Sequence, residues 1–239
     1  YLPDAIPAIE RLNQAIDNNE KIFVWGDYDV DGITSTAIVV TALKKMGANL
    51  EYKVPHRMED GYDIKVHSVD EAIRRNASLL MSVDCGIVAF ETAEYAKKCG
   101  LDLIVTDHHH PSHDGKIPDC IGVVNPNRDD PNYPGEHFKE YKTEEFKRYP
   151  FDALAGCGIA FKLMLGLAKT RNLDVMDFIN EKLSWFMQYY NSRMGDGETT
   201  NASGNNFKLE DLKILSNLTQ IIFNTKRKMI SKTLKKLLN

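Results

Sequence analysis

The hydrophobic pattern is a series of short apolar runs, each closed by a turn residue. Lys21-Ile22-Phe23-Val24-Trp25 ends at Gly26 and predicts a buried strand. Residues 50–54, ended by Pro55, predict a second, residues 79–83 a third, residues 101–105 a fourth, and residues 121–124, ended by Asn125-Pro126, a short fifth. The segments between them read as helices. Residues 34–46 are apolar and rich in small side chains, and they stop at Gly47, a helix-ending glycine. Residues 69–75 and 88–98 are two more, the latter stopping near Gly100. Residues 152–170 are helical, with Gly156 and Gly158 near the start pointing to close backbone approach. Strands alternating with helices predict an α/β fold, a doubly wound and mostly parallel five-stranded sheet flanked by helices. Residues 127–150 are polar and hold Pro131, Pro134 and Pro150, so they read as a loop or insertion. Residues 191–206 read as a Gly/Asn/Ser/Thr linker and residues 209–238 as an amphipathic helical stretch. The expected division is a domain over 1–170 and a helical, partly flexible C-terminal segment over 171–239.

This architecture gives the polar clusters a place. Ligands of such sheets bind outside the carboxyl ends of the strands. Asp27, Asp29 and Asp31 follow the first strand, Asp84 the third, and Asp107 with His108, His109 and His110 the fourth. Parallel strands bring those ends to one edge. In "GDYDVDG", residues 26–32, alternate acids on extended chain would point the same way and repel unless a cation lies among them. Oxygen ligands suit magnesium or manganese, and imidazole beside them tilts the choice toward manganese. Two such ions about 3.5–4 Å apart, sharing a carboxylate, can activate a water against a phosphoester. Plain readings stand beside these. Asp84 alone could cap the next helix, and His110 and His113 read as solvent-facing. A calcium loop is excluded, because "DYDVDGITSTAI" lacks the closing Glu. "VPHRMEDGYDI", residues 54–64, adds His56, Arg57 and Tyr62 on the same edge, with Arg57 either a phosphate contact or a surface partner of Glu59 or Asp60.

Composition narrows the class. The chain has 239 residues, 43% hydrophobic and 27% charged, enough for one good-sized core or two small domains. No apolar run reaches the ~18 residues of a membrane span, and no signal segment opens the chain. Tyr1 rather than Met comes first, so a fragment or processed chain is expected. Four cysteines without CxxC spacing point to reduced thiols in a cytoplasmic compartment and away from zinc. The net charge is −4, yet residues 201–239 hold eight Lys/Arg against two acids. That tail is either a solvated helical face or a basic arm for a polyanion.

The motifs together resemble the DHH phosphoesterase superfamily, and within it the RecJ branch of single-strand-specific 5′→3′ exonucleases. "GDYDVDG" is similar to the first motif, "PHRMEDGYDI" to the Arg…Gly-Tyr loop, "SVDCGI" to the second motif and "VTDHH" to the third. "VVNPNR" and "LAGCGIAFKL" resemble the segments that follow, and the likeness covers roughly residues 3–170. The resemblance implies Asp29 and Asp31 as metal ligands with Asp27 in or beside that shell, Asp84 bridging two ions, and His108 as a further ligand. It implies His109 as a phosphate or metal contact, Asp107 as the residue orienting a histidine, and Arg57 as a phosphate contact. Tyr62 is a candidate for stacking a base. The implied cofactors are Mn2+ or Mg2+, two ions, and the implied reaction is hydrolysis of single-stranded DNA to 5′-mononucleotides, with repair or replication proteins as partners and no membrane. The family's fourth motif, an apolar strand ending in Asp, is not found. Asp174, Asp177 and Asp196 are the nearby candidates and none has the apolar lead-in. Three functions follow as alternatives: a nuclease core, a non-cleaving module that binds nucleic acid or a partner, and a phosphodiesterase for short oligonucleotides, with RNA as an open substrate.

Overall fold

The structure is a computed structural model that describes residues 2–56, 61–129, 149 and 154–173. The elements in chain order are α1 (Ala5–Asp17), β1 (Ile22–Trp25), α2 (Val30–Lys45), β2 (Leu50–Lys53), α3 (Val66–Arg74), β3 (Leu79–Val83), α4 (Phe90–Lys98), β4 (Asp102–Thr106), β5 (Gly122–Val124) and α5 (Gly156–Thr170). All five expected strands are present. They form one sheet in the order β2-β1-β3-β4-β5, and every pairing is parallel.

β1, β3, β4 and β5 are near-continuous apolar runs because both faces of the sheet are covered there, while the edge strand β2, Leu-Glu-Tyr-Lys, is only partly buried. Alternation sorts their side chains. Phe23 and Trp25 of β1, Leu80 of β3, Leu103 and Val105 of β4 and Val123 of β5 join Val69 and Ala72 of α3 and Ala93 and Ala96 of α4 in one buried cluster. The alternate residues Ile22, Val24, Met81, Val83 and Ile104 are also buried and face the other side, where α1, α2 and α5 pack. Arg11 of α1 pairs with Asp102 at the start of β4 and with Glu20, both at 2.6 Å, which fixes α1 against the sheet.

Several elements differ from the sequence pattern: α4 begins at Phe90 rather than 88 and α5 at Gly156 rather than 152. α1 falls outside it altogether. α2 begins at Val30 rather than 34, so Asp31 lies within the helix and Asp29 is its N-cap. α3 begins at Val66 rather than 69. The expected linker over 191–206, the expected helix over 209–238, most of the expected loop over 127–150 and the fourth-motif candidates Asp174, Asp177 and Asp196 lie outside the described residues.

Candidate metal centre

The strand order places the site. The chain leaves β1 toward the edge strand β2, then crosses back to β3 on the other side of β1. Such a reversal opens a crevice at the carboxyl ends of the two central strands. Register keeps those ends level: Trp25 pairs with Ser82, and Val83 with Thr106. Asp27, Asp84 and Asp107 therefore emerge side by side.

Asp84 lies at the bottom. It is 1% exposed. Its backbone has φ 64°, a conformation rare outside glycine, and its N–H is held by Thr106 O at 2.8 Å. Both carboxylate oxygens are buried without a hydrogen-bond partner. Burial, then the charges of Asp31 and Asp29, push its pKa up to about 9. His108 Nε2 stands 3.3 Å from Asp84 Oδ1 and 3.6 Å from Asp31 Oδ2. Gly156 closes the crevice from above: a Cβ there would lie 1.9 Å from Asp84 Oδ1, so only glycine admits α5 this close. The capping alternative for Asp84 is removed, because α4 starts at Phe90 with Ala89 at its N-cap.

The three acids of the first motif do different things. Asp27 is buried, accepts from Tyr28 N at 2.7 Å, and is raised by burial and by Asp29. Asp29 is exposed and caps α2, its Oδ1 accepting from Gly32 N at 2.8 Å. Asp31 sits in the first turn of α2, and its two oxygens accept from Gly156 N and Cys157 N, each at 2.9 Å. The expectation of three parallel acids on extended chain is thus corrected. The helix begins one residue after Asp29 and turns Asp31 toward the start of α5. Gly32 permits the tight turn, since a Cβ there would lie 2.6 Å from Asp27 O.

Asp107 is 1% exposed and fully used. Its Oδ1 accepts from His108 N at 2.7 Å, His109 N at 3.0 Å and His109 Nδ1 at 2.7 Å, and its Oδ2 accepts from Ile87 N at 2.9 Å. Asp107 therefore orients His109 and ties the loop after β4 to the loop after β3. The bond to Asp107 raises the His109 pKa and, with Nδ1–H donating, leaves Nε2 as the open nitrogen. His110 and His113 are exposed, as expected.

Two residues that the sequence pattern did not single out complete the loop. Asn125, fully buried, donates from Nδ2 to His109 O at 2.9 Å and accepts from Asn127 N at 2.7 Å. Asn127 Nδ2 donates to His108 O at 2.5 Å. The two amides latch the two histidine carbonyls in turn. The signal was available in "VVNPNR", where two amide side chains follow a strand end facing the histidine loop.

Tyr62 is 49% exposed and meets His109 edge to face, ring centroids 6.4 Å apart. Burial and the nearby Asp107 push its hydroxyl well above the usual range. Arg57 lies outside the described residues.

The donors fit divalent cations. Asp84, His108 and His109 form one group, and Asp27, Asp29 and Asp84 another, each with a potential ligand atom from every member within 4.8 Å of the others. Asp84 belongs to both. A buried, partnerless carboxylate shared by two donor sets is costly alone and is compensated by bound cations.

Residues 21–185 match the model of the DHH family, N-terminal domain. The chain belongs to the DHH family. Its DHH region is 39% identical over 171 residues to the single-stranded-DNA-specific exonuclease RecJ of Bacillus subtilis, covering 70% of this chain and 20% of that protein. It is 40% identical over 161 residues to the Escherichia coli RecJ, covering 67% and 25%. The chain thus spans about a fifth to a quarter of the length of these curated relatives. A crystal structure of exonuclease RecJ bound to manganese superposes with a TM-score of 0.57 at 32% identity, covering 73% of this chain and 40% of that one. RecJ in complex with Mn2+ from Thermus thermophilus gives a TM-score of 0.54 at 29% identity, covering 72% and 22%. No helix among the described residues is long and apolar enough to cross a membrane.

Proposed function

We propose that this DHH domain is the core of a divalent-metal-dependent phosphodiesterase that removes 5′-mononucleotides from single-stranded DNA, in the cytoplasm and in the service of DNA repair or recombination. The observation that supports it most is Asp84: a partnerless buried carboxylate common to two donor sets at the switch point of the sheet. The likeness to manganese-bound RecJ supports the choice of metal. The four free thiols are compatible with a reducing compartment.

The residues divide the work. Asp27, Asp29, Asp84, His108 and His109 would hold two ions, with Asp31 beside them mooring α5. Bound there, Mn2+ or Mg2+ supplies Lewis acidity, which lowers the pKa of a water and neutralises charge on the leaving oxygen. Asp107 holds the His109 ring through Nδ1 and leaves Nε2 open to an ion or a phosphate. Tyr62 offers a ring face or edge at the rim, where an unpaired base can stack. Arg57 remains a phosphate contact on the strength of its motif.

The test is hydrolysis of 5′-phosphorylated, 3′-labelled single-stranded DNA by the full chain with manganese, beside Asp84→Asn. Release of mononucleotides that disappears in the variant is the expected result. Manganese binding by calorimetry without hydrolysis of long strands or dinucleotides would overturn it and leave a binding module.

A further inference from the structure

Lys65 lies next to the candidate centre and takes no part in holding metal. It occupies the N-cap position of α3 with extended backbone, and its N–H donates to Ser68 Oγ at 3.3 Å, so the root of its side chain is fixed. The side chain does not run straight out into solvent. It folds back over Gly61, where its Nζ lies 2.7 Å from the position a Cβ on that glycine would take. Gly61 (φ 78°) and Asp63 (φ 70°) both adopt left-handed backbone, one on each side of Tyr62. Those two turns present the Tyr62 ring outward beside His109.

Among the described residues the ammonium is one of several without an acid partner. Lys21, Lys97 and Lys116 each pair with a carboxylate within 3.0 Å. Among the described residues no carboxylate pairs with Lys65. Yet this edge of the sheet carries Asp27, Asp29, Asp31, Asp84 and Asp107. An approaching polyanion meets repulsion from those acids, and a cation beside the exposed Tyr62 ring offsets it.

We propose that Lys65 and Tyr62 form a one-nucleotide subsite, in which the tyrosine ring stacks on an unpaired base and the ammonium pairs with a neighbouring phosphate of the same strand. The subsite rests on the nucleic-acid reading above and specifies how the strand is held. Its contacts are a ring face and a phosphate, so it reads no sequence. It requires an exposed base face, which a single strand offers and a duplex does not.

The test compares the whole 239-residue chain with Lys65→Gln, Lys65→Arg and Tyr62→Ala. Affinity for fluorescent oligothymidylate is measured across a salt series, with calcium in place of manganese. Loss of one phosphate contact lowers the slope of log affinity against log salt by about 0.7. Lys65→Gln is expected to show that drop while Lys65→Arg restores the slope, and Tyr62→Ala to weaken binding without changing it. Manganese affinity is expected to stay unchanged in all three. An unchanged slope in Lys65→Gln, with the wild-type chain binding well, overturns the subsite alone. A parallel loss of manganese affinity also overturns it, because Lys65 would then be supporting the fold of the site. No strand binding by the wild-type chain overturns the nucleic-acid reading and the subsite with it.

Discussion

Burial, with the charges of Asp31 and Asp29 beside it, pushes the pKa of the Asp84 carboxyl up to about 9. An unfolded aspartate releases its proton near the ordinary value of 3.8. The folded chain thus binds the extra proton over that interval. Its contribution to stability is full below about pH 4 and is lost as pH rises toward about 9. The metal-free chain is expected to melt lower at about pH 8 than at about pH 5, with Asp84→Asn raising the melting temperature most at the alkaline end; scanning calorimetry across pH checks this. Cation binding needs the carboxylate, so manganese binding at neutral pH is expected to release a proton. Calorimetry in two buffers of different ionisation enthalpy would detect it, and Asp84→Asn should abolish it. The asparagine latch acts on the same centre at one remove. Asn127→Ala frees the His108 carbonyl and is expected to weaken manganese affinity about tenfold, in the range for residues that orient ligands. An affinity equal to wild type would show that Asp107 and Asn125 hold the loop without it.

Elements explain why part of this was legible. β1, β3, β4 and β5 were readable because they are buried apolar runs, and the partly buried edge strand β2 because Pro55 closes it. α1 lay outside the pattern, and Pro7 does not break it. That residue falls in the first turn after Ala5, where backbone N–H groups have no intrahelical acceptor and proline removes nothing. The three acids of "GDYDVDG" were recognised as a set, but their directions were not. Directions depend on where the helix begins, and boundaries are the weakest part of any pattern reading. Gly156 shows the two scales pulling apart. In an isolated helix Gly→Ala stabilises by roughly 0.5–1 kcal/mol. Here the added methyl would strike Asp84, and overpacking costs about 1–3 kcal/mol. The clash wins, so Gly156→Ala is expected to destabilise the chain and to depress manganese affinity together, as thermal melts with and without the ion would show.

At the scale of the whole molecule the two central strands carry the binding end and the helices on either face carry the stability. An ion that binds only the folded chain adds about 2.7 kcal/mol at a concentration one hundred times its Kd. Manganese is therefore expected to raise the melting temperature and a chelator to reverse the rise, with Asp84→Asn indifferent to both. The convergence of residues as distant in sequence as Asp31, Asp84 and His108 was legible only through the parallel-sheet rule. The contact of Asp31 with the amides of α5 was not, since nothing in the local sequence connects position 31 with position 156.

That contact has a consequence for how the chain tolerates change. The start of α5 is moored to α2 directly, by two hydrogen bonds across 125 and 126 residues, rather than through the stretch that follows β5. Both donors are backbone N–H groups and both acceptors belong to one side chain, so a change at position 31 releases the start of α5 in a single step.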